Sequence, residues 1–183
     1  MKKIKEYLVP TLVLFIICLV AAALLGITND VTAPVIEANA ELARQNAMKE
    51  VLPSADSFGD TIECENGSCA VAYAADGSVA GYAVTASGSG GYNGPVTLMV
   101  GIDSEGKVQN LSFLEIDETP SIGGKIPKNE GFLAQFKGIF GSAALTKNGG
   151  SVDAVSGATK TSTAVTNAVN NALLCYEEVK SNG

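Results

Sequence analysis

Histidine and tryptophan are absent from the 183 residues, and proline is sparse, at 6 against 20 glycines. Without imidazole there can be no Ser-His-Asp or Cys-His nucleophile, no His-ligated zinc and no haem on a proximal His. Basic residues are scarce too, with 12 Lys and Arg against 19 Asp and Glu, a formal net charge of -7. Proteins that bind phosphate backbones carry a basic face to displace counterions, so no nucleic-acid partner is expected. Charge of either sign is missing from residues 7–29, which explains a mean hydropathy of +0.24 in an otherwise acidic chain.

A helix crossing a bilayer core needs about 20 apolar residues. Residues 8–27 supply them, with Pro10 placed in the first turn, where its missing N–H costs no helix bond. The rival is a cleaved signal peptide ending near Ala21-Ala22-Ala23, but the apolar run exceeds the usual signal core of about 7 to 15 residues. Cys18 follows Ile17 rather than a small residue, so lipid attachment there is not expected. Lys2, Lys3 and Lys5 precede the span, and no base follows it until Arg44, which predicts a cytoplasmic N-terminus. The remaining 9 basic and 18 acidic side chains then form an acidic domain on the extracytoplasmic side of the membrane.

Residues 31–52 read as an amphipathic stalk helix, with Pro34 in its first turn and Pro53 ending it. Short β-favouring runs follow at 70–74, 78–86, 96–102 and 108–115, separated by Asn66-Gly67, Asp76-Gly77, a glycine-rich stretch at 88–94 and a turn at 104–106. A short helix is predicted over 132–140 and a long one over 159–180. The fold class is therefore α+β with an antiparallel sheet. Three parts are expected: 1–29 as cytoplasmic start and membrane helix, 30–53 as stalk, and 54–183 as the functional domain.

An Asn66-Gly67 two-residue turn would place Cys64 and Cys69 opposite each other, with Cα atoms roughly 4.5 Å apart, within disulfide reach. In an oxidising compartment a Cys64–Cys69 bridge is preferred to two free thiols, and the C-x4-C spacing argues against a catalytic dithiol. Cys18 and Cys175 read as small packed apolar residues, and the four cysteines lack iron–sulfur spacing.

Directly before the last helix stands Asp153-Ala154-Val155-Ser156-Gly157-Ala158-Thr159. Gly157 and Ala158 leave room for a ligand to approach the backbone, while Ser156, Thr159, Thr161, Ser162 and Thr163 crowd hydroxyls around a helix start. Free N–H groups and the positive dipole end there favour a phosphate, and Lys160 adds a cation. Ordinary capping by Ser156 is the plainer alternative.

The seven residues resemble the D-x-x-[S/T]-G-A-T acceptor motif to which an ApbE-type flavin transferase attaches FMN, and a chance match has odds on the order of one in a thousand. By that resemblance Thr159 carries FMN through a phosphoester, Asp153 is recognised by the transferase, and Ser156, Gly157 and Ala158 complete the flavin-binding motif. Glu118-Thr119-Pro120-Ser121-Ile122-Gly123 resembles the E-T-P-G-L-G stretch of the Rnf G subunit and of the related C subunit of the sodium-pumping NADH:quinone reductase. Glu118 and Thr119 would then line the flavin pocket, with Ser121 standing where the family has Gly. The loop from Gly88 to Pro95 resembles the family's glycine-rich G-Y stretch.

The resemblance covers nearly the whole chain, and the short length is closer to the Rnf G subunit. It implies a membrane-anchored covalent-FMN electron carrier within an ion-translocating ferredoxin:NAD oxidoreductase complex, partnered by other membrane and iron–sulfur subunits. It is a redox subunit without a complete active site of its own, and no catalytic residue or metal is expected. An acidic surround is expected to lower the flavin's potential. Tyr82, Tyr92 and Phe113 are candidates to pack on the isoalloxazine, with core packing the alternative for each. The competing functions are the quinone-reductase subunit, an anchored non-redox binding module, and a free-standing FMN protein.

Overall fold

A computed structural model describes residues 2–182. The chain divides into two units, 1–42 and 43–183. The first is helix throughout, part of α1 (Lys2–Val51). Among the described residues its large apolar side chains, including Leu8, Phe15, Ile16, Leu19 and Leu25, are exposed, and by length and composition α1 can cross a membrane. The hydroxyls of Thr11, Thr28 and Thr32 donate to the carbonyls of Tyr7, Leu24 and Thr28 at 2.8, 2.8 and 2.9 Å, which removes the cost of bringing them into an apolar medium.

Two helices were expected here, and one is found, with Pro10 and Pro34 both in its interior. Each proline removes one helix bond. No glycine flanks Pro34, and Glu37, Ala38, Ala40, Glu41 and Leu42 after it are strong helix formers, so the helix continues through it. The unit boundary falls at residue 42 rather than 53, because the last turns of α1 belong to the core of the second unit. Ala47, Met48, Val51 and Leu52 are buried there, whereas Val35 and Leu42 earlier in the helix are exposed.

The second unit is built on a five-stranded antiparallel meander in sequence order, β1 (Ser57–Cys64), β2 (Gly67–Tyr73), β3 (Val79–Gly88), β4 (Val96–Asp103) and β5 (Val108–Ile116). The period-2 alternation of strands assigns one layer to each face. Val84, Ala86, Leu98 and Val100 meet the long C-terminal helix α3 (Thr159–Asn182) through Val165, Val169, Ala172 and Tyr176. Ala70, Ala72, Ala83 and Met99 on the other face meet the end of α1. Glycines set how closely these layers approach: a Cβ on Gly88 would strike the backbone of Ala164 and Ala168, and one on Gly101 the carbonyl of Val51. The helix expected over 132–140 is shorter, α2 (Glu130–Ala134), since Gly138 turns the chain at φ +82°.

The expected Cys64–Cys69 bridge is not the pairing found. Cys64 is bonded to Cys175 of α3, with Cα atoms 5.6 Å apart and a sequence separation of 111. The hairpin turn is one residue earlier than predicted, so Cys64 pairs with Gly67 and Cys69 sits opposite Ile62. Gly67 answers to close packing: a Cβ there would strike the Thr85 carbonyl of β3. Cys69 is a fully buried free thiol whose pKa burial pushes up to about 12.

Candidate functional site

The segment before α3 is held by side chains from elsewhere. Gln135 grips the backbone of Asp153 from both sides, accepting its N–H at 2.7 Å and donating to its carbonyl at 3.3 Å. The Asp153 side chain stays exposed. Ser162 reaches back from the first turn of α3, where its hydroxyl accepts the Val155 N–H and donates to the Ala158 carbonyl, both at 3.0 Å. The hydroxyl that closes this turn is thus Ser162's, and Ser156, the alternative cap, is exposed. Gly157 lies at φ +79°, and a Cβ there would meet nothing within 4 Å, so its conformation rather than its space calls for glycine.

Thr159 is therefore exposed at the start of α3. The N–H groups of Thr159, Lys160 and Thr161 have no helical carbonyl one turn back, and the dipole adds positive potential where they emerge. They open onto a cleft of about 480 Å³ lined by Gly157, Ala158, Thr159, Lys160 and Thr161 on one side and by Tyr92, Glu118, Thr119 and Ile122 on the other. Tyr92 and Ile122 are 73% and 51% exposed, which leaves two apolar surfaces free to cover a planar ring. The Lys160 ammonium stands 5.3 Å from the Tyr92 ring centroid. This combination of an anion-attracting helix end, a cation and uncovered aromatic and aliphatic faces fits a phosphorylated aromatic cofactor.

The far wall is made by two loops joined at Glu118. Its carboxylate accepts the Tyr92 N–H at 2.7 Å and lies against Gly91 and Gly123, where an added Cβ would collide with it. Glu118 thus ties the glycine-rich loop to the Thr119 turn, a role as a strut that its spacing did not reveal. The Thr119 carbonyl accepts from the Ile122 and Gly124 N–H groups at 2.9 and 3.0 Å. Ser121 in place of glycine is accommodated in this turn, since no non-glycine residue among those described has positive φ. Of the three aromatic candidates only Tyr92 lines the cleft. Tyr82 packs edge-to-face on Tyr176 at 5.0 Å, and Phe113 packs against the core.

Glu118→Gln keeps an acceptor for the Tyr92 N–H and removes only the charge. With a flavin in the cleft, its midpoint potential is expected to rise, since a carboxylate disfavours added negative charge. Glu118→Ala should raise it as well and also lower flavin fluorescence anisotropy, because the loop loses its tie. A redox titration of both variants showing no rise removes Glu118 from the control of potential.

Fold and cleft together define a flavin-binding domain, and sequence comparison agrees: the FMN-binding domain family matches residues 91–174, spanning both walls of the cleft. Residues 1–51 match the RnfG N-terminal region. The G subunit of the ion-translocating oxidoreductase complex of Methanosarcina acetivorans is 33% identical over 178 residues, covering 92% of this chain and 94% of the relative. The G subunit of the Na(+)-translocating ferredoxin:NAD(+) oxidoreductase complex of Acetobacterium woodii is 32% identical, covering 92% and 90%. The chain belongs to the family of these G subunits. The crystal structure of Shewanella oneidensis NqrC shares the fold, with a TM-score of 0.51 at 18% identity over 73% of this chain and 74% of that one. That likeness is one of fold, while the G-subunit relatives match along the length of the chain.

Proposed function

We propose that this chain is the membrane-anchored electron carrier of an Rnf-type ferredoxin:NAD oxidoreductase complex, with FMN joined through its phosphate to the Thr159 hydroxyl. The observation that carries the proposal is the exposure of Thr159 at the mouth of the cleft, inside the D-x-x-S-G-A-T motif. Bound FMN would supply reversible one- and two-electron transfer, chemistry that none of this chain's side chains offers. The chain's own part is to hold and tune. The first-turn N–H groups and Lys160 would hold the phosphate, Tyr92 and Ile122 would cover the ring system, and Glu118 braces the wall.

During maturation an ApbE-type transferase would bind the exposed Asp153 carboxylate. The Thr159 oxygen forms a bond to the flavin-side phosphorus of FAD, the bond between the two phosphates breaks, and AMP leaves. The hydroxyl proton passes to a base of the transferase. A covalent link suits a carrier outside the cytoplasm, where lost FMN could not be replaced by mass action. Extracytoplasmic placement is supported by the Cys64–Cys175 disulfide, which suits an oxidising compartment, and by the basic start of α1.

The test is peptide mapping of the chain isolated from its native membranes, together with the proteins that copurify. FMN less one water on the peptide containing Thr159, in company with iron–sulfur and membrane subunits, is the expected result. An unmodified peptide from cells that flavinylate other proteins would sink covalent attachment. Purification of a flavin-loaded chain free of any complex would sink the assignment to an Rnf assembly.

A further inference from the structure

The hydroxyls at the start of α3 fall into two groups. Ser162, Thr163 and Thr166 donate to the carbonyls four residues back, those of Ala158, Thr159 and Ser162, at 3.0, 2.9 and 2.8 Å. This is the ordinary resting place of a hydroxyl inside a helix. Thr161 cannot use it, because the residue four back is Gly157, which lies outside the helix at φ +79°. Thr161 is nonetheless only 2% exposed, it lines the cleft, and no group among the described residues accepts its hydroxyl. Since no buried polar side-chain atom among the described residues lacks a partner, this unpaired hydroxyl is open to the cleft, where a bound acceptor would supply the bond it lacks.

We propose that Thr161 is a flavin-binding residue whose hydroxyl donates a hydrogen bond to an oxygen of the FMN held on Thr159. Thr159 supplies the covalent tether at the mouth, and Thr161, two residues on, supplies a second and buried point of attachment inside. Two anchors on one helix turn fix the orientation of a group that a single phosphoester leaves free to swing. The backbone opposite leaves little freedom: Gly123 is buried, and a Cβ there would strike both the Thr161 hydroxyl and the Glu118 side chain. The acceptor is an oxygen in every case, whether on the phosphate, the ribityl chain or the ring, and the experiment separates these.

The inference rests on the presence of FMN in this cleft. The test uses the full chain in detergent, coproduced with a flavin transferase and compared with Thr161→Val and Thr161→Ser. Intact mass first establishes how much of each protein carries flavin, and only loaded molecules are compared. In Thr161→Val the flavin fluorescence anisotropy should fall, and Thr161→Ser should restore it. In a Thr159→Ala background, free FMN should bind about fivefold more weakly once valine replaces Thr161, the effect of one lost hydrogen bond. The same loss for riboflavin, which has no phosphate, places the bond on the ribityl chain or ring, and a shifted absorption maximum in the loaded protein places it on the ring. A loss for FMN alone places it on the phosphate. Loaded Thr161→Val with unchanged anisotropy and spectrum, and unchanged affinity for both ligands, would overturn the proposal. A fall in melting temperature alone would then mark Thr161 as a packing residue of the cleft wall beside Gly123. Absence of flavin from the parent protein, covalent or free, would overturn the functional assignment itself.

Discussion

Replacing Thr159 with alanine is expected to give a normally folded chain that carries no covalent flavin. The side chain is exposed in the first turn of α3, and the bond from the Thr163 hydroxyl goes to the Thr159 backbone carbonyl, which alanine keeps. Substitutions at such surface positions change stability by about 0.5 kcal/mol or less. What alanine removes is the oxygen proposed to form the phosphoester. Thr159→Ser retains that oxygen on a less hindered carbon and should still be loaded. Asp153→Asn leaves the backbone clamp by Gln135 intact, so its effect should appear in loading alone, slowed about tenfold for the loss of one charged contact to the transferase. Intact masses and in-gel flavin fluorescence read all three. Flavin found on another residue of the alanine variant would refute the assignment of Thr159.

Breaking the Cys64–Cys175 bond should produce the largest loss of stability. It closes a loop with a sequence separation of 111 residues, for which chain-entropy reasoning gives up to about 5 kcal/mol, and native bridges commonly deliver about 3. Cys175→Ala is therefore expected to lower the melting temperature by about 10 °C. Cys69→Ala removes one buried sulfur and should cost about 1 kcal/mol. Reductant should bring the parent and Cys69→Ala down toward Cys175→Ala while leaving Cys175→Ala itself unchanged. The Cys69 thiol, its pKa raised to about 12 by burial, should resist alkylation until the protein unfolds. A parent protein indifferent to reductant, or peptide maps joining Cys64 to Cys69, would refute the pairing.

How much of this was legible beforehand depends on how local each cause is. The apolar part of α1 follows from an uncharged run, and α3 from apolar spacing that needs no knowledge of the rest. Strands β2 to β5 stood out because they alternate or are buried on both faces. β1 did not, since it is an exposed edge strand that covers little of the core. The Asn66-Gly67 pair misled because Gly67 serves the neighbouring strand, a contact that turn propensities do not contain. The correct cysteine partner was out of reach for the same reason, being set by how α3 lies on the sheet. At the site, the motif and the Glu118 segment were readable as a resemblance, but the grip of Gln135 on Asp153 joins residues 18 apart in sequence through side-chain geometry alone. Thr161 could be named as one hydroxyl among several. What distinguishes it is the left-handed turn at Gly157, and only coordinates show that its usual acceptor is missing.

The sheet is a meander in which every strand pairs with the one made just before it, so α1 and the whole sheet can form while the chain is still being synthesised. Contacts of this kind are local and form early. α3 follows the sheet in the chain and bears the Thr159 hydroxyl at its beginning, the Cys175 sulfur near its end and the apolar face that covers the sheet between them. A chain interrupted before α3 therefore lacks Thr159, the crosslink and that apolar cover together. Under the attachment proposed at Thr159, loading with flavin becomes a record that synthesis has reached this helix.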